Sequence, residues 1–176
     1  MPLLLIGVRE NRWHKDPARA LLERGDVPAD PIGDLRTTNN QLSVWEILPD
    51  RSNRDRIVRA LNIGKDHIAD SGWLLFSSEL LEPAGIKAPV ATPGRTKDKG
   101  VNHWHRDLVD LSGNLLVALT RTLLVNAETG TILKKEMLEL IEGGIKANEL
   151  AEKDLPDKMV EGLTKARSQA GPHPKE

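Results

Sequence analysis

The chain contains no cysteine and no tyrosine, and its aromatic side chains are four tryptophans and one phenylalanine among 176 residues. The missing cysteine excludes disulfides, thiol nucleophiles and every cysteine-ligated zinc or iron–sulfur site. Proteins that recognise bases or sugars by stacking usually carry more aromatic side chains than this. We therefore expect an aliphatic core and a protein of a reducing compartment, the cytoplasm.

Long apolar runs and an excess of one charge are also missing. The longest apolar run in the central region is residues 115–119, whereas a membrane span needs about 18 residues. The apolar N-terminal run has no basic residues before it and no cleavage site, so we expect a strand there and not a signal peptide. A net charge of −1 and a pI near 6.5 disfavour nucleic acid as a partner, although a local basic patch stays open. These features predict a soluble protein without a membrane partner.

Three short apolar segments in the first half predict strands, namely residues 3–8, 41–48 and 73–76. Residues 53–63, which follow a capping-box pattern, predict a helix that ends at Gly64. Four arginines lie on or just before that helix, and because they point in different directions among aspartates, we expect a solvated face. Glu46 shares a strand face with apolar side chains, which predicts an ion pair or an edge position because an unpaired buried carboxylate is costly.

The region from Gly100 to Val125 holds the densest apolar periodicity of the chain. Its leucines are spaced by three or four residues and would form one stripe on a helix that begins near Asp107. Ser112, Gly113 and Asn114 interrupt the pattern, so a kinked helix or a pair of strands stays open for residues 107–125. The leucines of the stripe are Leu108, Leu111, Leu115, Leu119 and Leu123.

Just before that stripe stands the only close pair of histidines in the chain, His103 and His105. On an extended segment the two imidazoles would point the same way, and Asp107 would add a carboxylate, which gives half of a zinc, iron or manganese site. The commoner alternative is that these residues only pack or face water, since this spacing alone is a weak signal. A complete metal site needs a further ligand, for which the candidates are His67, Asp70 and His14.

A basic strip leads into the same segment. Arg95, Lys97 and Lys99 alternate in a loop rich in proline and glycine, which suits an anionic ligand better than any other part of the sequence. The residues expected to bind a ligand or partner are Arg95, Lys97, Lys99, His103, Trp104, His105 and Arg106.

These elements predict an α+β fold with a small N-terminal sheet of about three strands and short helices, followed by a long apolar helix and a helical C-terminal part. We divide the chain into an α/β part (1–90), an exposed basic loop or linker (91–100) and a mainly helical part packed on the first (101–170). The last residues, 171–176, contain two prolines and a glycine, and we expect them to form a disordered tail.

The sequence contains none of the motifs that identify common classes of enzyme. The metalloprotease helix, the nucleophile elbow, the phosphate loop and the dinucleotide loop are all missing. Our first hypothesis is a non-enzymatic interaction protein, such as an immunity protein, antitoxin, adaptor or accessory subunit, that binds another protein or itself and needs no cofactor. The alternative is a metal-dependent hydrolase or nuclease that uses a divalent metal on His103, His105 and Asp107. A second alternative is nucleic-acid binding through the basic strip, with Trp104 stacking on a base.

A metal titration separates the first two hypotheses. We expect zinc or manganese to leave the melting temperature unchanged, and Trp104→Ala to cost more stability than His103→Ala or His105→Ala, because an indole buries more apolar surface than an imidazole. The measurement is thermal melting of the wild type and these variants with and without metal. A saturable rise in melting temperature that disappears in the doubly substituted histidine variant would favour the metal site instead.

Overall fold

A computed structural model describes residues 2–13 and 15–169, which form six strands and six α-helices. The strands are β1 (Leu3–Val8), β2 (Leu42–Ile47), β3 (Ser71–Ser77), β4 (Val90–Ala91), β5 (His105–Leu108) and β6 (Glu128–Ile132). The α-helices are α1 (Lys15–Glu23), α2 (Ala29–Asp34), α3 (Arg54–Asn62), α4 (Gly113–Asn126), α5 (Lys134–Lys146) and α6 (Asp157–Gln169).

The strands form one antiparallel sheet in the spatial order β4-β5-β2-β1-β3-β6. Strand β1 lies between β2 and β3, so the connection β2-α3-β3 crosses over a central strand. The connection β5-α4-β6 spans the sheet from one side to the other. These two crossovers place α3 and α4 on opposite faces, which we name the α3 face and the α4 face.

Alternation along the strands fills a separate core on each face. On β1, Leu5 packs in the α3-face core, while Leu4 and Ile6 pack in the α4-face core. The α3-face core includes buried side chains of α3, α5 and α6, and the α4-face core includes buried side chains of α1 and α4. Near-continuous apolar strands such as residues 73–76 are thus explained by a sheet that is covered on both sides.

The expected fold of about three strands followed by a long apolar helix is wrong. The sheet has six strands, and β5 and β6 come from the second half of the chain and pair with β2 and β3 of the first half. The helix in the central region is α4, which has 14 residues and begins at Gly113, well after Asp107.

A helix cap explains the later start of α4. The Ser112 hydroxyl accepts a hydrogen bond from the backbone N–H of Leu115 at 3.3 Å, which satisfies a free donor of the first turn. Leu108 and Leu111 are still buried, but from β5 and the following loop and not from a helix face. Residues 105–108 gain backbone partners in β2, an option that leucine spacing alone does not reveal.

Several local predictions are confirmed. Residues 3–8 and 41–48 contain β1 and β2, and residues 73–76 lie within β3. Glu46 forms the expected ion pair, with 2.5 Å between its Oε2 and Nη2 of Arg106. The prediction that the arginines of this helix face solvent is wrong for Arg59, which is only 4% exposed.

Two further expectations fall on parts of the chain outside the described residues. These are the tail 171–176 and the candidate metal ligand His14. Within the described residues, no helix combines the length and apolar character that crossing a membrane requires.

The burial of α4 gives a stability prediction. Leu119 is 0% exposed and Val117, on the same helix, is 40% exposed. We expect Leu119→Ala to lower the free energy of unfolding by about 2 to 5 kcal/mol, and Val117→Ala by less than about 0.5 kcal/mol, as is usual at a surface position. Urea denaturation of both variants measures the difference, and similar losses in the two would show that α4 is not anchored through this face.

Candidate functional site

The pairing of β2 with β5 brings four non-aliphatic side chains together on the α3 face. Ser43 lies opposite Asp107, and Trp45 lies opposite His105. Because side chains alternate along a strand, positions 43 and 45 share a face, as do positions 105 and 107. The sheet register therefore builds this cluster from two segments that are far apart in the sequence.

Thr92, which follows the edge strand β4, links the members of the cluster. Its hydroxyl donates to Asp107 Oδ2 at 2.7 Å and lies 2.8 Å from Nδ1 of His105. Ser43 donates its hydroxyl hydrogen to the other carboxylate oxygen of Asp107 at 3.2 Å. Asp107 thus accepts a hydroxyl hydrogen on each of its oxygens.

These contacts fix the tautomer of a neutral His105 ring. A threonine hydroxyl carries one hydrogen, and the bond to Asp107 uses it, so toward Nδ1 this hydroxyl can only accept. The backbone carbonyl of Thr92, 3.3 Å from Nδ1, is also an acceptor. The neutral imidazole therefore carries its proton on Nδ1 and has a free lone pair on Nε2.

The His105 ring is held in place by packing as well as by hydrogen bonds. It is 8% exposed and meets the Trp45 ring edge-on, with 4.9 Å between the centroids. Its Nε2 lies 3.8 Å from Asp107 Oδ1. A fixed imidazole whose lone pair has a carboxylate beside it can accept a proton, because the carboxylate stabilises the imidazolium that forms.

An elongated cleft lies over this cluster. Its larger lobe encloses about 790 Å³ and is lined by Ser43, Thr92, His105 and Asp107 together with residues 95–97. A smaller lobe of about 380 Å³ reaches toward Arg9. The two lobes share lining residues, so we treat them as one cleft, named here the cationic cleft; the shared residues are Arg36, Ser43, Trp45 and Leu61.

Positive charge dominates the lining. Asp34 and Asp107 are its carboxylates, and Asp34 is already engaged by the backbone N–H of Arg9 and by the Trp13 indole. Within residues 2–13 and 15–169, four of the cations form no ion pair with a carboxylate: Arg36, Lys65, Arg95 and Lys97. The five cationic side chains of the lining are Arg9, Arg36, Lys65, Arg95 and Lys97.

Lys65 shows the effect of this crowding on a single group. Desolvation of its ammonium and, next, the charge of Arg9 lower the pKa of Lys65 below its ordinary value. Its nearest polar partner is the neutral side-chain oxygen of Asn62, at 2.5 Å. An anion bound in this lobe would offset the repulsion between the two cations.

The loop of residues 92–98, named here the rim loop, is fastened to the 3₁₀ helix Lys99–Trp104. The side-chain oxygen of Asn102 accepts hydrogen bonds from the backbone N–H and the hydroxyl of Thr96, at 3.0 and 2.8 Å. Gly94 approaches the Asn102 backbone so closely that a Cβ there would lie 2.9 Å from its Cα, a separation that real side chains do not show. Arg95 and Lys97 therefore extend from a braced loop.

A buried ion network lies beneath the rim loop. The Asp98 carboxylate is 0% exposed and accepts from Arg56 at 2.9 Å on each oxygen and from Arg59 at 2.7 Å. Both arginines also reach Glu149, which follows α5, at 2.8 and 2.6 Å. The network joins α3, the rim loop and the segment after α5.

The ionisation of Asp98 reflects two opposing effects. Burial of its carboxyl raises the pKa, but the hydrogen bonds and charges of Arg56 and Arg59 outweigh that and hold the pKa of Asp98 below its ordinary value of 3.8. A carboxylate with a lowered pKa stabilises the fold above its unfolded-state pKa, and this contribution disappears as the pH falls through the folded-state pKa.

The structure divides the residues that the sequence suggested for binding. Arg95, Lys97 and His105 line the cationic cleft, as does the proposed metal ligand Asp107. The others lie elsewhere. Lys99 and His103 are exposed on the 3₁₀ helix, Trp104 packs against the α3-face core, and Arg106 pairs with Glu46 on the α4 face.

The metal half-site stays a prediction. Among the described residues, no three or more histidine, aspartate or glutamate side chains are grouped so that they could hold a metal ion. Asp70, one candidate for a further ligand, instead accepts a hydrogen bond from the backbone N–H of Lys134 at 2.6 Å, at the start of α5. His67 is exposed.

Most of the cationic cleft could not be predicted from the sequence. Arg9 and Lys65 stand beside regular elements, and no local pattern marks them as partners. The usable signals were the basic strip with Arg95 and Lys97 and the spacing of His105 and Asp107, which share a face if the segment is extended. The residues missed are Arg9, Arg36, Ser43, Lys65 and Thr92.

No protein-family model, curated protein or solved structure matches this chain significantly. The function is therefore argued from the site alone.

The ion network gives a second stability prediction. We expect Asp98→Asn to lower the free energy of unfolding at pH 7 by about 3 to 5 kcal/mol, because it leaves two arginines without their shared buried charge. Asp55→Asn is the matched control on α3, where the pair with Arg54 is partly exposed and worth at most about 1 kcal/mol. Chemical denaturation of both variants gives the two losses.

The wild type and Asp98→Asn also test how the free energy of unfolding depends on pH. Stability contributed by ionised Asp98 should disappear below about pH 4, so the gap between wild type and Asp98→Asn should narrow on acidification. A gap that stays constant from pH 7 to pH 3 would contradict this role for Asp98.

Proposed function

We propose that this protein binds a phosphate-bearing anion in the cationic cleft. The observation that carries the proposal is the convergence of Arg36, Arg95 and Lys97 on one cleft without carboxylate partners among the described residues. Cations with no role in ion pairs do not stabilise a fold, whereas they lower the free energy of a bound anion.

Phosphate is favoured over a simple carboxylate by the kinds of donor in the cleft. Guanidinium groups bind phosphate oxygens through paired N–H donors, and Arg9, Arg36 and Arg95 supply three such groups. Two lobes with cations in each suit a ligand that carries more than one negative group. The net charge of −1 speaks against broad attraction to polyanions, so we place the binding in this cleft and not over the whole surface.

The other hypotheses from the sequence keep their place as predictions. A non-enzymatic protein that binds another protein or itself in the cytoplasm is compatible with a cleft that takes an anionic side chain of a partner. A metal-dependent hydrolase would have to complete its ligand set from outside the described residues or from the substrate, and we do not include it in the proposal.

Calorimetric titration with tripolyphosphate tests the proposal. We expect saturable binding at one site, and a loss of at least about tenfold in affinity for the double variant Arg36→Ala, Arg95→Ala, since each charged hydrogen bond is worth about 1.5 to 3 kcal/mol. The control is Lys135→Ala, Lys158→Ala, which removes two exposed lysines of α5 and α6 and the same total charge. An equal loss in both double variants, or no binding by the wild type, would contradict the proposal.

A further inference from the structure

His105 has a use in the cationic cleft that anion binding does not require. Its Nδ1–H is committed to the hydroxyl and carbonyl oxygens of Thr92, at 2.8 and 3.3 Å. This leaves Nε2 with a lone pair in a ring that lines the larger lobe. A group that merely attracts phosphate would need to donate hydrogen bonds, whereas neutral Nε2 can only accept a proton.

Asp107 lies where it can assist the transfer of a proton to Nε2 of His105. Asp107 Oδ1 lies 3.8 Å from Nε2, close enough for the charge of the carboxylate to stabilise the imidazolium when Nε2 takes a proton. The hydroxyls of Ser43 and Thr92 hold Asp107 in position. The ring thus has a fixed tautomer, a fixed orientation and a nearby negative charge, which are the requirements for a general base.

We propose, building on the anion-binding function above, that the cationic cleft cleaves single-stranded RNA with His105 as the general base. Nε2 of His105 removes the proton of a ribose 2′-hydroxyl, and the 2′-oxygen attacks the adjacent phosphorus. The bond from phosphorus to the 5′-oxygen breaks, and that oxygen keeps the electron pair and takes a proton from water. The products are a 2′,3′-cyclic phosphate and a 5′-hydroxyl, and the imidazolium returns its proton to solvent.

RNA is the phosphate ester that fits this set of groups. Its nucleophile is the hydroxyl next to the phosphodiester, so one base and a charged cleft suffice and no further reactant enters the balance. The two lobes follow an extended backbone, with Arg36 at their junction and cations in each lobe to contact successive phosphates. Arg95 and Lys97 in the lobe of His105 stabilise the charge that develops on the phosphorus oxygens.

Thr92 is a positioning residue in this scheme. It touches no substrate atom in the proposed reaction, but it holds the Nδ1–H tautomer and connects the ring to Asp107. Thr92→Val removes both hydrogen bonds at almost constant volume, and Thr92→Ser restores the hydroxyl. We expect the valine variant to lower kcat with little change in KM, and the serine variant to recover most of the loss.

The test incubates the full-length protein with end-labelled single-stranded RNA in EDTA and identifies the product ends. We expect fragments ending in 2′,3′-cyclic phosphate, and a rate at least about a hundredfold lower for His105→Gln, which keeps much of the packing volume against Trp45. His67→Gln, an exposed histidine change purified in the same way, should cleave like the wild type. A loss of cleavage confined to His105→Gln excludes a contaminating nuclease.

A second arm leaves the protein unchanged, in case His105→Gln does not fold. RNA of the same sequence with 2′-O-methyl groups should bind with similar affinity and stay intact, because it lacks the nucleophile. The proposal is overturned by intact unmodified RNA, by cleavage that needs a divalent metal, or by equal rates in folded wild type and His105→Gln. If the wild type binds tripolyphosphate but does not cleave RNA, only this inference is contradicted. If the wild type does not bind tripolyphosphate, the anion site itself is contradicted.

Discussion

Two arginines of α3 share two carboxylates, one of them fully buried, and the rest of the α3 face depends on this contact. Asp98 is fully buried between Arg56 and Arg59, and Glu149 binds the same two guanidinium groups. Removing one partner from such a network leaves a buried charge uncompensated, which costs several kcal/mol. Glycines make room for it, because a Cβ at Gly100 would collide with Arg56 and one at Gly144 with Arg59. Asp98 also ends the rim loop, so the network that joins three segments fixes one wall of the cationic cleft.

Those elements of the fold that carry a local signal could be predicted from the sequence, and the pairing between distant elements could not. Strands β1, β2 and β3 follow from continuous apolar runs, and α3 was predicted from a capping pattern and a glycine stop. The capping box itself does not form, because Ser52 donates to Asp50 and the N-cap residue Asn53 makes no side-chain cap hydrogen bond. Strand β5 was lost because its last residue, Leu108, also begins the leucine repeat, for which the sequence favoured a helix. Its identity is decided by backbone partners in β2, a non-local interaction. The start of α4 was also not predicted from the sequence. The polar residues that interrupt the leucine pattern mark the beginning of the helix, with Ser112 as its N-cap, and do not form a kink within it.

The cationic cleft was less predictable than the fold, and the reason is geometric. His105 and Asp107 were recognised as chemically capable residues, but their partners Ser43 and Thr92 reach them only through the register of β5 with its two neighbours. A shift of that register by one residue would turn the cluster to the opposite face. The role of Arg36 in the cleft could not be predicted for a different reason, because a single arginine in a loop belongs to no sequence pattern. The sequence did indicate which region of the chain contributes to the cleft, through the basic strip that contains Arg95 and Lys97.

A near-neutral composition conceals this cleft because charge elsewhere is paired. Arg51 binds Glu128, Lys87 binds Asp110 and Arg167 binds two glutamates, so these ions cancel locally and add little field. Apart from Arg9, which meets Asp34, the cations of the cleft form no ion pair among the described residues. The pKa of Lys65 is lowered first by desolvation and then by the charge of Arg9. Repulsion of this kind opposes folding slightly and brings no contact in return. An anion that enters the cleft gains its own hydrogen bonds and relieves that repulsion as well, which is why the arrangement is better explained by a ligand than by stability.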